Sequence, residues 1–287
     1  MVQLSDLFRN LDLPAEFYLL GQLPPTRIPW QPPDPVPANE GDPGGLWDTR
    51  VIAVMCRYLT SGYPVLVGTT DHAFVICGWE RQPNSNMITF IRHDDQRGPY
   101  LPVGNVFDDI DPATGYRYGP WRTLHVPLPS KLWLPPEPAE RIGGIALEAA
   151  STAVVPLLSV VGEGGAAVED LASLIASNRL ALRTYAVSSN RFKANLAERG
   201  FDEATISRYR LARFPRFVWV VEAVDRELRH RGQPAVIGEA LVDPTSSEHD
   251  PQLLALRIHG ALWLKPGASP PVFLGSTPVT SGGIGLM

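Results

Sequence analysis

Between Ser61 and Tyr100 the chain sets His72 at the start of one apolar run and two acids, Asp94 and Asp95, at the end of another. An imidazole hydrogen-bonded to a carboxylate is fixed in one tautomer and becomes a better base. That is the orienting half of a nucleophilic triad. The elements that must position these groups are strands. Pro64 to Val67, Ala73 to Trp79 and Met87 to Ile91 are short β-rich runs, and Pro83, Asn84 and Ser85 are turn formers between the last two. In an antiparallel hairpin the start of one strand lies opposite the end of its partner. The spacing therefore predicts that His72 and Asp94 or Asp95 meet at one edge of a sheet. The bland alternative for the same residues is a surface histidine beside ordinary turn acids.

The order of these pieces resembles a known pattern. Gly62-Tyr63-Pro64, a strand, Asp71-His72-Ala73, a strand ending Gly78-Trp79, a loop, a strand, then an acid followed by Gly98-Pro99-Tyr100 is similar to the second half of papain-like cysteine peptidases. It is closer to the bacterial leader-peptidase-like branch, whose acid is Asp. The resemblance covers about residues 47 to 105. It implies a papain-like fold, with His72 as general base and Asp94 or Asp95 as its orienting partner.

The departure from that pattern concerns the nucleophile, which in this family opens a helix well upstream of the His. No cysteine precedes Trp47; the only two in the chain are Cys56 and Cys77. Cys56 lies in a predicted helix, Leu46 to Leu59, on a face shared with Ile52 and Leu59. Val51, Val54, Met55 and Tyr58 also recur there at helical spacing. Cys77 lies inside the strand after His72. Both positions suit buried, inert thiols, because a free Cys acts as a small core hydrophobe unless an electropositive setting lowers its pKa. The expectation is a papain-like scaffold without its nucleophile, acting as an interaction or structural subunit toward a protein or peptide. The alternative is an active cysteine hydrolase, a peptidase or isopeptidase, using His72 and Asp94 with Cys56 or a Cys from elsewhere.

Composition narrows the field further. A formal net charge of −5 argues against general affinity for nucleic acid or anionic membranes. Two cysteines and no recognisable secretory signal suggest a reducing, cytoplasmic setting. The apolar stretch Ile145 to Val161 is interrupted by Glu148, Ser151, Thr152 and Pro156 and falls short of a spanning helix. Asp108, Asp109 and Asp111 lack the ligand alternation of a calcium loop, and Gly162 to Gly165 lacks the Lys-Ser/Thr ending of a phosphate loop, so no cofactor is expected.

Three regions follow from the punctuation. Residues 1–46 hold a short helix, Leu4 to Leu11, and then a Pro-rich arm with Phe17 and Trp30 as anchors. Residues 47–136 form the papain-like half-domain, closed by a fourth strand, Arg122 to Pro127. Residues 137–287 begin with a helix from Glu137 to about Leu158, in which Gly143-Gly144 can admit a close neighbour, and continue with a short helix, Val168 to Ser177. A strand-like run, Leu180 to Val187, and helices Arg191 to Arg199 and Asp202 to Arg213 come next. The chain then reads as a three-stranded meander: Arg216 to Val224, Ala235 to Val242 and Leu253 to Leu264. The fold class is α+β, with an antiparallel papain-like sheet in the first half and a helix-rich second half ending in that meander. Arg183-x-Tyr185, Ser189-Asn190-Arg191-Phe192-Lys193 and Phe214-Pro215-Arg216-Phe217 look similar to a region found beside papain-like domains in uncharacterised bacterial proteins.

The meander carries a second polar set: Glu222, Glu239, Asp243, Arg257 and His259. Glu239 and Asp243 share parity on their strand, as do Arg257 and His259 on theirs. Two carboxylates with a His could hold a metal. An outer sheet face with cross-strand ion pairs uses the same residues and is the stronger reading.

Overall fold

A computed structural model describes residues 15–19, 45–70, 72–81, 88–103, 110, 114–116, 121–159, 173–177, 179–199, 201, 203–231, 235–247, 250, 252–258 and 261–265. The predicted helix over 4–11, Trp30, Asp108, Asp109, Asp111, the glycines at 162–165 and His259 lie outside these residues. The fold is α+β, with two antiparallel sheets, and the chain divides into two units between Leu132 and Trp133.

The first unit is a six-stranded sheet in the order β1-β6-β2-β3-β4-β5. Its strands are β1 (Ala15–Leu19), β2 (Val65–Gly68), β3 (Ala73–Arg81), β4 (Ile88–Asp94), β5 (Gly98–Val103) and β6 (Thr123–Pro127). Helix α1 (Gly45–Thr60) packs on β2 and β3. Its buried stripe is Val51, Val54, Met55 and Tyr58, which meets Val65, Val67, Phe74, Ile76, Leu124 and Val126 from one side of the sheet. Gly62, at φ +80, ends the helix in the left-handed region open to glycine. Two strands lie where Pro-rich sequence predicts none. β1 sits in the arm and pairs with β6 from Ala15↔Pro127 to Leu19↔Thr123, tied to α1 by a 2.6 Å hydrogen bond between the Tyr18 and Tyr58 hydroxyls. β5 contains Pro99 and Pro102 and is an edge strand, where a missing amide donor is tolerated. On the opposite side of the sheet, buried His125 lies against the Phe17 ring at 4.7 Å, and burial lowers its pKa.

The second unit is a five-stranded meander in the order β11-β10-β9-β8-β7. It comprises β7 (Leu180–Ser188), β8 (Phe217–Asp225), β9 (Val236–Val242), β10 (Leu253–Ile258) and β11 (Ala261–Leu264). The predicted three strands become five because 180–188 joins the sheet and 253–264 folds back on itself as a hairpin. Helix α2 (Pro136–Ser159) covers one face, where Leu147 and Ala150 pack with Val221, Ala240 and Ile258. Helices α3 (Ser189–Ala194) and α4 (Glu203–Leu211) cover the other, where Phe192, Leu196, Phe201 and Tyr209 pack with Val218, Val220, Leu241 and Ala255. Ser188 caps α3, its hydroxyl accepting from the Arg191 amide. Lys193 accounts for part of the basic run between Arg191 and Arg216: its ammonium donates to the carbonyls of Arg210, at 3.0 Å, and Ala212, at 2.6 Å, at the end of α4. Asp225 caps α5 (Arg226–His230) and takes an ion pair from Arg179 at 2.6 Å.

Gly143 is where α2 comes closest to the sheet. A Cβ there would stand 2.6 Å from Val221 Cβ and within 2.9 Å of both its methyls. Gly143→Ala should gain about 0.5–1 kcal/mol of helix propensity and lose about 1–3 kcal/mol to overpacking. Urea unfolding should therefore show a net loss in the wild-type background. In a Val221→Ala background the same substitution should be neutral or stabilising.

Candidate functional site

Continuing the Val75↔His93 register brings Asp94 opposite Phe74, with His72 on the diagonal. Alternation sends His72, Phe74 and Ile76, together with Arg92 and Asp94, to the side of the sheet that α1 covers. His72 Nε2 lies 3.0 Å from Asp94 Oδ2, with side-chain exposures of 11% and 0%. The expected meeting of the histidine and an acid at a sheet edge thus occurs through Asp94, which is buried. Asp95, the next residue, is exposed in the turn.

Both members of this pair are anchored. Asp94 Oδ1 accepts from the backbone amides of Gln96, at 2.9 Å, and Arg97, at 3.2 Å. His72 is fixed through its backbone: its carbonyl accepts from the Thr69 amide at 2.9 Å, and its amide donates to the Thr69 hydroxyl at 3.1 Å. Burial opposes ionisation of Asp94, but the two amides and His72 outweigh it and hold the carboxyl below the usual carboxylate range. An ionised Asp94 accepts the Nε2 proton, so in the neutral ring Nδ1 carries the lone pair. The ring is thereby oriented as a base, with Phe74 at 6.1 Å from its centroid and Trp121 edge-on to Phe74 at 5.6 Å.

Donor atoms of His72, Asp94 and Asp95 lie within 4.8 Å of one another, and among the described residues this is the group of histidine and acid donors close enough to hold a metal ion. Neither thiol belongs to it. Cys77 is exposed, on the opposite side of β3 from Phe74 and Ile76, and its sulfur lies 3.4 Å from the Ile91 carbonyl. At about 3.3 Å per residue, the five positions separating it from His72 put it on the order of 16 Å along the strand. Cys56 is half-buried on the flank of α1, beside the buried stripe and not in it. The expectation of two buried thiols is therefore corrected. Helical spacing groups Cys56 with Ile52 and Leu59, but the core takes the adjacent stripe, and strand alternation from the buried Phe74 and Ile76 places Cys77 on the opposite side.

The second polar set is real but differs from its expected form. Arg183, Glu222, Glu239 and Arg257 form one row of directly opposed residues across β7, β8, β9 and β10. This row lies on the inner face under α3 and α4, not on a solvated outer face, and both carboxylates are fully buried. Arg183 holds Glu222 through Nε at 2.7 Å and Nη2 at 2.6 Å, and the Tyr185 hydroxyl donates to it at 2.9 Å. Arg199 bridges the two acids, donating to Glu222 at 2.7 Å and to Glu239, while the Tyr209 hydroxyl donates to Glu239 at 2.8 Å. Burial disfavours the charge on Arg199, but Glu239 and Glu222 outweigh it and raise its pKa, whereas burial and Glu239 together raise that of Tyr209. Asp243 stays apart, accepting from the Thr245 amide at 2.8 Å and its hydroxyl at 2.7 Å in a turn. Sequence reasoning missed Arg199 and Tyr209, which come from the helical excursion. Arg183 and Tyr185, two residues apart on β7, share the face that carries the acids, a period-two spacing present in the sequence.

A scan against protein-family models finds no match, and searches of curated proteins and of solved structures find none either.

The depressed pKa of Asp94 fixes a pH signature. Its contribution to stability is present above the unfolded-state pKa, about 3.9, and is lost as pH falls through the lower folded value. Asp94→Asn should cost about 1–3 kcal/mol near neutral pH in urea unfolding, and the gap from wild type should narrow as pH drops below 4.

Proposed function

We propose that the first half of the chain is a papain-like scaffold that retains the His72–Asp94 half of a catalytic site without a thiol nucleophile. In this reading it acts as an interaction subunit for a protein or peptide. The observation that carries it is the dyad: an imidazole held at 3.0 Å by a buried, doubly anchored carboxylate, on the helix-covered side of an antiparallel sheet. Such preorganisation is what a general base needs. What separates the scaffold from an enzyme is the sulfur, and Cys77 lies on the far side of its strand from the ring. The half-exposed Cys56 supports a second reading, a cysteine hydrolase in which that thiol or a partner's attacks an amide and His72 takes its proton.

An antiparallel sheet with a covering helix supports this reading, and an acid that is Asp fits the leader-peptidase-like branch of it. The helix-rich second half belongs to the same proposal, as a companion region whose helices close over its sheet.

Iodoacetamide labelling across pH separates the two readings. The scaffold reading expects Cys77 and Cys56 to alkylate at rates that are unchanged in His72→Ala. One thiol that alkylates fast at pH 6 in the wild type and slowly in His72→Ala would instead establish a Cys–His pair and the hydrolase reading.

A further inference from the structure

The row across the second sheet has one member whose hydrogen bonds are missing. The Arg257 side chain is nine-tenths buried, yet among the described residues it makes no hydrogen bond. Its Nε is wholly enclosed, and the nearest carboxylate oxygen, Glu239 Oε1, is 4.0 Å away and already accepts the Tyr209 hydroxyl. The guanidinium instead lies over the Phe201 ring at 4.4 Å. The side chain as a whole keeps a tenth of its surface in solvent. A buried guanidinium is costly unless its donors are filled.

The charges around it show what would fill them. Among the described residues, the row and the excursion bring three guanidinium groups, Arg183, Arg199 and Arg257, to two carboxylates, Glu222 and Glu239, an excess of one positive charge. The carboxylates are committed: Glu222 to Arg183, Arg199 and Tyr185, and Glu239 to Arg199 and Tyr209. Of the three, Arg257 is the guanidinium without a hydrogen-bonded carboxylate among the described residues, its contact with Glu239 being 4.0 Å. Phe201, on which it stacks, stands two residues before the start of α4, a nine-residue helix whose N-terminus carries partial positive charge. Glu203, at the first position of that helix, is exposed.

We propose that Arg257 is the anchor of a small-anion site, and that its occupant is a monocarboxylate. A carboxylate presents two coplanar oxygens that match the fork of a guanidinium. One negative charge neutralises the cluster, whereas a phosphate dianion would overshoot it beside Glu239. Phe201 supplies an apolar wall for the carbon end of such a ligand. The site lies wholly within the second unit and does not depend on the His72–Asp94 reading.

The test is a titration of the full chain with sodium acetate, followed through the arginine Nε–H resonances in 15N–1H spectra, with sodium chloride at equal ionic strength as control. The Arg257 resonance is identified as the one lost in Arg257→Lys. Acetate should move it saturably in the millimolar range, and should raise the thermal midpoint of the wild type but not of Arg257→Lys. A resonance that moves no further in acetate than in chloride, or a Lys variant stabilised as much as the wild type, overturns the site. Inorganic phosphate binding tighter than acetate overturns the monocarboxylate assignment. Should Arg257→Lys fail to fold, assignment through a Phe201→Leu variant, which perturbs the same resonance by removing the ring beneath it, leaves the wild-type titration decisive.

Discussion

Glu222 and Glu239 stand directly opposite each other on neighbouring strands, both without solvent contact. Two ionised carboxylates so placed repel, and each carries a desolvation cost that only close positive charge and hydrogen bonds can offset. The meander supplies part of the answer, since the same register that opposes the acids also aligns Arg183 and Arg257 on the strands outside them. The remainder has to arrive from elsewhere in the chain. Arg199 and Tyr209 are delivered by the segment between β7 and β8, so the packing of α3 and α4 on the sheet and the neutralisation of the acids are one event. Removing one partner of such a buried pair typically costs about 3–5 kcal/mol. The surrounding devices serve that delivery: the Ser188 cap turns the chain out of β7, and Lys193 closes the end of α4.

The first unit uses the same physics on a smaller scale. One buried acid, Asp94, is satisfied by its own turn, through the amides of Gln96 and Arg97, and by His72. The carboxylate is held by backbone amides on one oxygen and orients the imidazole with the other.

Much of this was legible from the residues. Helices α1, α2 and α4 and strands β2, β3, β4 and β6 follow from apolar period and turn formers, and the hairpin argument brought His72 to Asp94. β1 and β5 were not legible, because Pro beside the first and within the second obscures the pattern by which a strand is recognised; the edge location of β5 makes its two prolines acceptable. The faces of Cys56 and Cys77 differ from expectation for a geometric reason: two adjacent helical stripes are both apolar in sequence, and a short apolar strand does not show which of its two faces is covered. Parity put Glu239 and Arg257 each on a definite face, but whether that face is covered depends on helices 30 or more residues away in the chain from Arg257, such as α4.

The two sheets also differ in when their strands can find each other. In the second, every strand pairs with its neighbour in sequence, so loop-closure entropy is small at each step and the sheet can assemble in chain order. In the first, Leu19 must wait for Thr123. During synthesis β1 emerges before any other strand of its sheet and is the one whose partner is made last, so it spends that interval as an unpaired apolar segment beside a growing domain. The interval, and not the finished fold, is when this protein is most exposed to mispairing with other chains.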